Sequence, residues 1–191
     1  MDGKRIFLAI DISEAARDVC SSHIDSLRKE FPQVRVGWER REKLHVTLKF
    51  LGPTSQETIA DLSDRITSTA AKHRPFELTL GASGSFPEKG KPRVLWIGID
   101  GGTDNLIRLQ HDIEEISALL GYEREHKVFH PHITIGRIRD HRDAIALAEV
   151  HRAARIEPVG FEVSNIVIYE SELRPTGSVY SKVSSHMLEA A

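Results

Sequence analysis

The sequence predicts an α+β fold: a bilobal duplicated unit of antiparallel sheets with outer helices, pseudo-two-fold symmetric around a central cleft. Three observations carry this. The four-residue words His45-Val46-Thr47-Leu48 and His132-Ile133-Thr134-Ile135 stand 87 positions apart. The segments RIFLAID, from Arg5, and RVLWIGID, from Arg93, stand 88 apart. Each half then reads strand, helix, strand, strand, helix, strand. Two landmarks repeating at nearly one offset point to an internal repeat. The competing reading is a single α+β sandwich without internal symmetry.

The elements follow in order. RIFLAID (5–11) alternates and is rich in β-formers, which predicts a strand. Ser13 is placed to cap a helix over 14–30, with Ala16, Val19, Cys20, His23, Leu27 and Phe31 on one face and Pro32 as its stop. VRVGW (34–38) is a short strand and 44–51 a longer one, after which Gly52-Pro53 break the chain. TSQE (54–57) has the form of a capping box, followed at helical spacing by Ile59, Leu62, Ile66 and Ala70. FELTLGASGSF (76–86) is a strand. PEKGKP (87–92), polar and bounded by prolines, reads as the linker that joins the lobes. RVLWIGID (93–100) is a strand, Gly101-Gly102 a turn, and Leu106, Leu109, Ile113, Ile116 and Leu120 mark a helix that stops at Gly121. HPHITIGRI (130–138) is a strand and 141–154 a helix. Strands over 161–173 and 178–183 are joined by a turn at Pro175-Thr176-Gly177. Residues 184–191 are weakly patterned and stay outside the fold argument.

The 191 residues suit one domain, 1–191, with halves at about 4–86 and 93–184. A net charge of −2 lacks the basic excess of an extended nucleic-acid surface. It points instead to a local site, compatible with small or end-of-chain phosphate ligands. Cys20 is the only cysteine, which rules out an intramolecular disulfide and a thiolate-rich zinc site. No stretch approaches the ~20 apolar residues of a membrane span. The expectation is a cytoplasmic monomer without membrane attachment.

The chemistry lies in the repeated words. Residues two apart on a strand share a face. His45 and Thr47 therefore face one way, as do His132 and Thr134. Val46, Leu48, Ile133 and Ile135 face the helices. Across a cleft, one histidine can act as base and the other as acid, each role contributing about 10²–10⁴-fold in rate. A threonine hydroxyl can donate to a phosphate oxygen. Transfer at a phosphodiester requires that set and no metal. Structural histidines are one alternative. A zinc site is another, although neither word carries a carboxylate or second histidine in step, and Pro131 separates His130 from His132. No metal and no cofactor are expected.

The paired words, HVTL and HITI, resemble the signature of the two-histidine (2H) phosphoesterase superfamily. Within it the chain is most similar to the RNA 2′,3′-cyclic phosphodiesterases, also described as 2′-5′ RNA ligases. RIFLAID, LHVTLKFLG, RVLWIGI, FHPHITIGR and IVIYESEL fall in that family's order over nearly the whole chain. The resemblance implies a cleft between pseudo-symmetric lobes and hydrolysis of an RNA 2′,3′-cyclic phosphate end to a 2′-phosphate, without metal or ATP. It implies His45 as proton donor to the leaving O3′, His132 as proton acceptor from water, and Thr47 and Thr134 on phosphate oxygens. The partner implied is an RNA 3′ end, or a nucleotide, carrying the cyclic phosphate.

Two further residues come by resemblance alone: Phe50 as a base-stacking platform and Arg137 as a phosphate clamp. Each stands five positions after its histidine. Strict alternation turns both away from the histidines, so the assignment needs the strands to twist, bulge or end. Core packing for Phe50 and a solvated charge for Arg137 are the alternatives. Arg40, Arg41, Lys43 and Arg139 are candidates to widen the phosphate site, although WERREK reads first as a solvated loop. Ser171 and Tyr180 match the family's C-terminal strands, and His130 is read as a local hydrogen-bonding group. The competing functions are 2′-5′ ligation at the same site, a non-catalytic RNA-end or nucleotide-binding module, and action on other small cyclic phosphates.

Overall fold

The computed structural model describes residues 3–140, 143–175 and 177–189. Among the described residues, nine strands and four α-helices follow in order: β1 Lys4–Asp11, α1 Glu14–Glu30, β2 Val36–Trp38, β3 His45–Thr54, α2 Gln56–Ala70, β4 Phe76–Phe86, β5 Val94–Gly101, α3 Thr103–Leu119, β6 His132–Ile138, α4 Ala144–Ala153, β7 Gly160–Val163, β8 Asn165–Arg174 and β9 Gly177–Met187. The strands form one antiparallel sheet in the order β7-β4-β5-β6-β3-β1-β8-β9, with β2 added alongside β6. The α+β class and the antiparallel pairing match the sequence.

The sheet curls. β7 lies at one end of the strand order and β8 next to the other end, yet only Ser164 separates them in sequence. Two residues of extended chain reach about 7 Å. The two ends of the sheet therefore approach each other, and Leu188 N, just beyond β9, donates to Ser164 O at 2.8 Å. The helices pack on one face, where Ile6, Leu8 and Ile10 of β1, Val46 and Leu48 of β3, and Ile133 and Ile135 of β6 enter a single core with Cys20, Leu62, Ile113 and Leu147. The other face is the inner, cleft-forming one. Burial pushes the Cys20 thiol up to about 12, so it serves as a packed apolar group.

Several expectations change. PEKGKP does not join lobes: β4 and β5 pair antiparallel, Phe86 opposite Val94, so 87–92 closes a hairpin. Gly52-Pro53 do not end β3; Gly52 takes φ +76 and the strand runs on to Thr54 opposite β1. The cap of α2 is Ser55, which accepts from Thr58 N at 3.1 Å, whereas Thr54 belongs to β3. The strand expected over 161–173 is two, because β7 pairs with β4 and β8 with β1. The weakly patterned stretch from 184 continues β9 to Met187. Thr176 of the expected turn, residues 141–142 of the expected helix and residues 190–191 of the tail lie outside the described residues.

Pairing also corrects an offset. Phe7 pairs with Phe50 and Ala9 with Thr47; Val94 pairs with Arg137 and Trp96 with Thr134. Judged by ladder partners, β1 and β5 correspond at 87 positions, like the histidine words, and not at 88. The 88 offset matched the two arginines that precede the strands, which is a likeness of letters and not of register. Among the described residues, no helix is long and apolar enough to cross a membrane.

Candidate active site

The site starts from one bridge. Val46 of β3 pairs with Ile133 of β6. In an antiparallel register that sets His45 opposite Thr134 and His132 opposite Thr47, all on the inner face. Diagonal neighbours in such a pair lie about 7–8 Å apart. β6 then leaves β3 and takes β2 as its partner, Gly37 opposite Arg137. The divergence opens a wedge between the strands.

Both strands bulge just after the threonine. Leu8 opposes Lys49 and Ala9 opposes Thr47, which leaves Leu48 extra. Leu95 opposes Gly136 and Trp96 opposes Thr134, which leaves Ile135 extra. A bulge inserts one residue and reverses the alternation beyond it. Leu48 and Lys49 therefore both turn toward the helices, and Phe50 returns to the inner face; Ile135, Gly136 and Arg137 repeat this. His45, Thr47, Phe50, Thr134 and Arg137 line one cavity. His132 lies beside its lining, on β6 two residues before Thr134. Core packing is excluded for Phe50, which is 47% exposed.

Each histidine is held alike. His45 Nδ1–H donates to Lys43 O at 2.6 Å, and His132 Nδ1–H donates to His130 O at 2.7 Å. A carbonyl only accepts, so Nδ1 carries the proton in both and Nε2 is the nitrogen left for other partners. His45 Nε2 meets Thr47 Oγ1 at 3.0 Å. Phe7 lies 5.1 Å and Tyr180 5.6 Å from His45, ring centre to ring centre; Phe86 lies 5.2 Å from His132. Burial is the main cause that lowers both histidines below the ordinary value, with the Lys43 and His130 carbonyls opposing.

The surrounding charges differ. Asp11 pairs across the ladder with His45, and its negative charge raises that histidine against the positive charges of Arg17 and His132, which lower it. Burial disfavours the Asp11 carboxylate, but hydrogen bonds from Tyr169 (2.6 Å) and Lys182 (2.9 Å) outweigh it and hold the group below the usual range. Gly98 occupies the matching position opposite His132, which feels only the positive charges of His130 and Arg137.

WERREK divides. Arg41 turns outward to Asp18 (2.6 Å) and Glu14 (2.7 Å) on α1. Glu39 and Lys43 line the cavity, so the solvated-loop reading fails for them. Lys43 Nζ donates to Ser178 O and lies 5.5 Å over the Tyr180 ring. Sequence reasoning missed Phe7, Glu39 and Asp11. Phe7 had a signal, since alternation along β1 puts it opposite Ile6 and Leu8. Asp11 and Glu39 had none, because neither the β1–β3 register nor the path of the loop is written in a local pattern. Among the described residues, no group of three or more His, Cys, Asp or Glu is arranged to hold a metal ion.

Residues 15–174 match the 2′-5′ RNA ligase superfamily, and the chain belongs to that family. Its relatives carry a more particular name. The RNA 2′,3′-cyclic phosphodiesterase of Aeropyrum pernix is 35% identical over 140 residues, 73% of this chain and 78% of its own. That of Methanothermobacter thermautotrophicus is 30% identical over 178 residues, 93% and 95% of the two chains. The crystal structure of E. coli LigT complexed with 3′-AMP superposes with a TM-score of 0.73 at 27% identity, covering 98% of this chain and 99% of that one.

Proposed function

We propose that this chain is an RNA 2′,3′-cyclic phosphodiesterase that opens the cyclic phosphate to a 2′-phosphate by metal-independent acid–base catalysis. The names of its relatives support the activity. The observation that carries the mechanism is the unequal surroundings of two otherwise matched histidines: Asp11 opposite His45, Gly98 opposite His132. The carboxylate favours a protonated His45, the acid. His132, beside cations only, stays neutral, the base.

In the reaction, His132 Nε2 takes a proton from water as its oxygen attacks phosphorus. The P–O3′ bond breaks, and His45 Nε2–H protonates O3′. A 2′-phosphomonoester and a 3′-hydroxyl remain. Thr47 and Thr134 donate to the non-bridging oxygens, where negative charge builds up. Arg137 binds the phosphate as a fork, and Phe50 stacks the terminal base.

The test uses chelator-treated protein and an RNA oligonucleotide ending in a 2′,3′-cyclic phosphate. Wild type is expected to give the 2′-phosphate, and His45→Ala and His132→Ala to give almost none. Wild-type turnover in either variant removes that histidine from the mechanism; a 3′-phosphate product reverses the leaving-group assignment. The superfamily's name favours a second reading, attack by a 5′-hydroxyl RNA end in place of water, which paired RNA ends and a search for a 2′-5′ linkage would reveal.

A further inference from the structure

Past Phe50 and Arg137 the catalytic cavity continues into a second concavity of about 600 Å³, with Glu39, Lys43, Phe50, Arg137 and Tyr180 common to both. Its walls gather Arg5, Arg40, Lys43, Arg137, Arg139 and Arg174 against one acid, Glu39. The chain as a whole carries −2. Positive charge is thus concentrated where the cavity opens.

Several of these cations lack a close partner, although Arg137 and Arg139 act electrostatically on Glu39. Among the described residues, the guanidinium groups of Arg40, Arg137 and Arg139 make no hydrogen bond or ion pair. Arg41 and Arg17, by contrast, are held by carboxylates of α1 and β1. Arg174 pairs only with exposed Glu172, a contact that a phosphate can replace. Phe50, 47% exposed, and Tyr180 are aromatic walls that the groove shares with the catalytic cavity. Cations that track a backbone, interleaved with aromatics that stack bases, are the features of single-strand binding.

A 2′,3′-cyclic phosphate ends its chain, so RNA can continue from the catalytic cavity only in the 5′ direction. We infer that this groove is a subsite for the phosphodiester on the 5′ side of the terminal nucleotide, and that the preferred substrate is an RNA chain and not a free nucleoside cyclic phosphate. The inference rests on the proposed activity. The phosphodiester sits among Arg40, Arg139 and Arg174. The volume suits one further nucleotide, within the ~300–1,000 Å³ of ordinary ligand pockets.

The experiment compares a nucleoside 2′,3′-cyclic phosphate with a trinucleotide ending in the same group. Wild type is expected to show the higher kcat/KM on the trinucleotide, through KM. The Arg139→Gln/Arg174→Gln double variant, with its melting temperature checked, raises the trinucleotide KM ~5–10-fold and leaves the mononucleotide unchanged, as for loss of a phosphate contact. The log–log salt dependence falls by about 0.7 for each phosphate released. Binding of the 2′-phosphate-terminated trinucleotide is measured alongside. It weakens by the same factor in the double variant whether or not cyclic phosphate is opened, which separates failure of the groove from failure of catalysis. Equal wild-type kcat/KM on both substrates, equal damage to both, or unchanged trinucleotide binding overturns the inference.

Discussion

Val46 faces Ile133 across the bridge that joins β3 to β6, and both side chains are fully buried. The same two residues separate each histidine from its threonine. One packed pair therefore holds the two strands together on the helix side and sets the four candidate site residues on the other. Ile133→Ala should lower stability by about 2–5 kcal/mol through the cavity it leaves. It should also reduce kcat at temperatures where the protein remains folded, because a shift of about 1 Å at a reacting group is enough to cost ~10²-fold. Denaturant melts and steady-state kinetics check both. An Ile133→Ala protein with lost stability but full kcat would show that the bridge packs the core without positioning the histidines.

The pH profile should be bell-shaped and displaced to low pH. The proposed mechanism requires a neutral His132 and a protonated His45, and both are lowered from the ordinary value, chiefly by burial. Activity is lost on the acid side as His132 gains its proton and on the alkaline side as His45 loses its own. The kcat/KM maximum should therefore fall below about 6.5, the unperturbed histidine value. Bound phosphate adds negative charge, so the kcat profile should lie at higher pH than that of kcat/KM. Asp11→Asn removes the carboxylate that favours protonated His45 and should move the alkaline limb to still lower pH. An unmoved alkaline limb in Asp11→Asn, with an altered acid limb, would exchange the roles of the histidines.

The bulge that returns Phe50 to the site sends Lys49 toward the helices, where only 3% of its side chain is exposed. Lys49 Nζ donates to Glu114 Oε2 at 2.8 Å and to Glu123 O at 2.7 Å; Gln110 and Glu125 N also donate to the Glu114 carboxylate. Removing one partner of a buried pair leaves an uncompensated charge. Lys49→Met should cost about 3–5 kcal/mol, and adding Glu114→Leu should restore much of it. A double variant no more stable than Lys49→Met would mean the pair contributes by geometry and not by mutual charge compensation. At the matching place in the other bulge stands Gly136, which avoids the problem by having no side chain.

How far the site was legible follows from these same residues. His45, Thr47, His132 and Thr134 were readable because period-two alternation holds within each word and the word is repeated. Phe50 and Arg137 were brought to the cavity only by resemblance. Alternation turned them away, and an extra residue such as Leu48 or Ile135 has no mark in the sequence: it is an ordinary apolar side chain, and the bulge exists only relative to its partner strand. The helices were readable from local signals, α1 to the residue. Strand order was not, because the pairings of β4 with β5 and of β8 with β1 depend on contacts between distant segments. Pro87 and Pro92 look the same whether they bound a linker or a hairpin.

His151 gives a pH dependence separate from catalysis. It is fully buried at the end of α4, and its Nε2–H donates to Gly84 O (3.0 Å) and Trp96 O (3.1 Å). Nδ1 is then the bare nitrogen and accepts from His23 Nε2 at 2.8 Å on α1. A proton added at Nδ1 would meet the His23 N–H. Burial, with the charge of His23, brings His151 down to about 4. Unfolded, it titrates near 6.5, so between about 6.5 and 4 the unfolded chain binds a proton that the native state does not. Stability should therefore be unaffected by this group above about pH 6.5 and decline as pH falls toward 4, by about 3 kcal/mol over the window. Denaturant unfolding of wild type and His151→Gln between pH 8 and 4.5 isolates the contribution. Wild type should be the more stable at pH 8, and the gap should narrow steadily as pH falls. A gap that stays constant across the range would mean His151 accepts its proton in the folded state, with His23 turning away to make room.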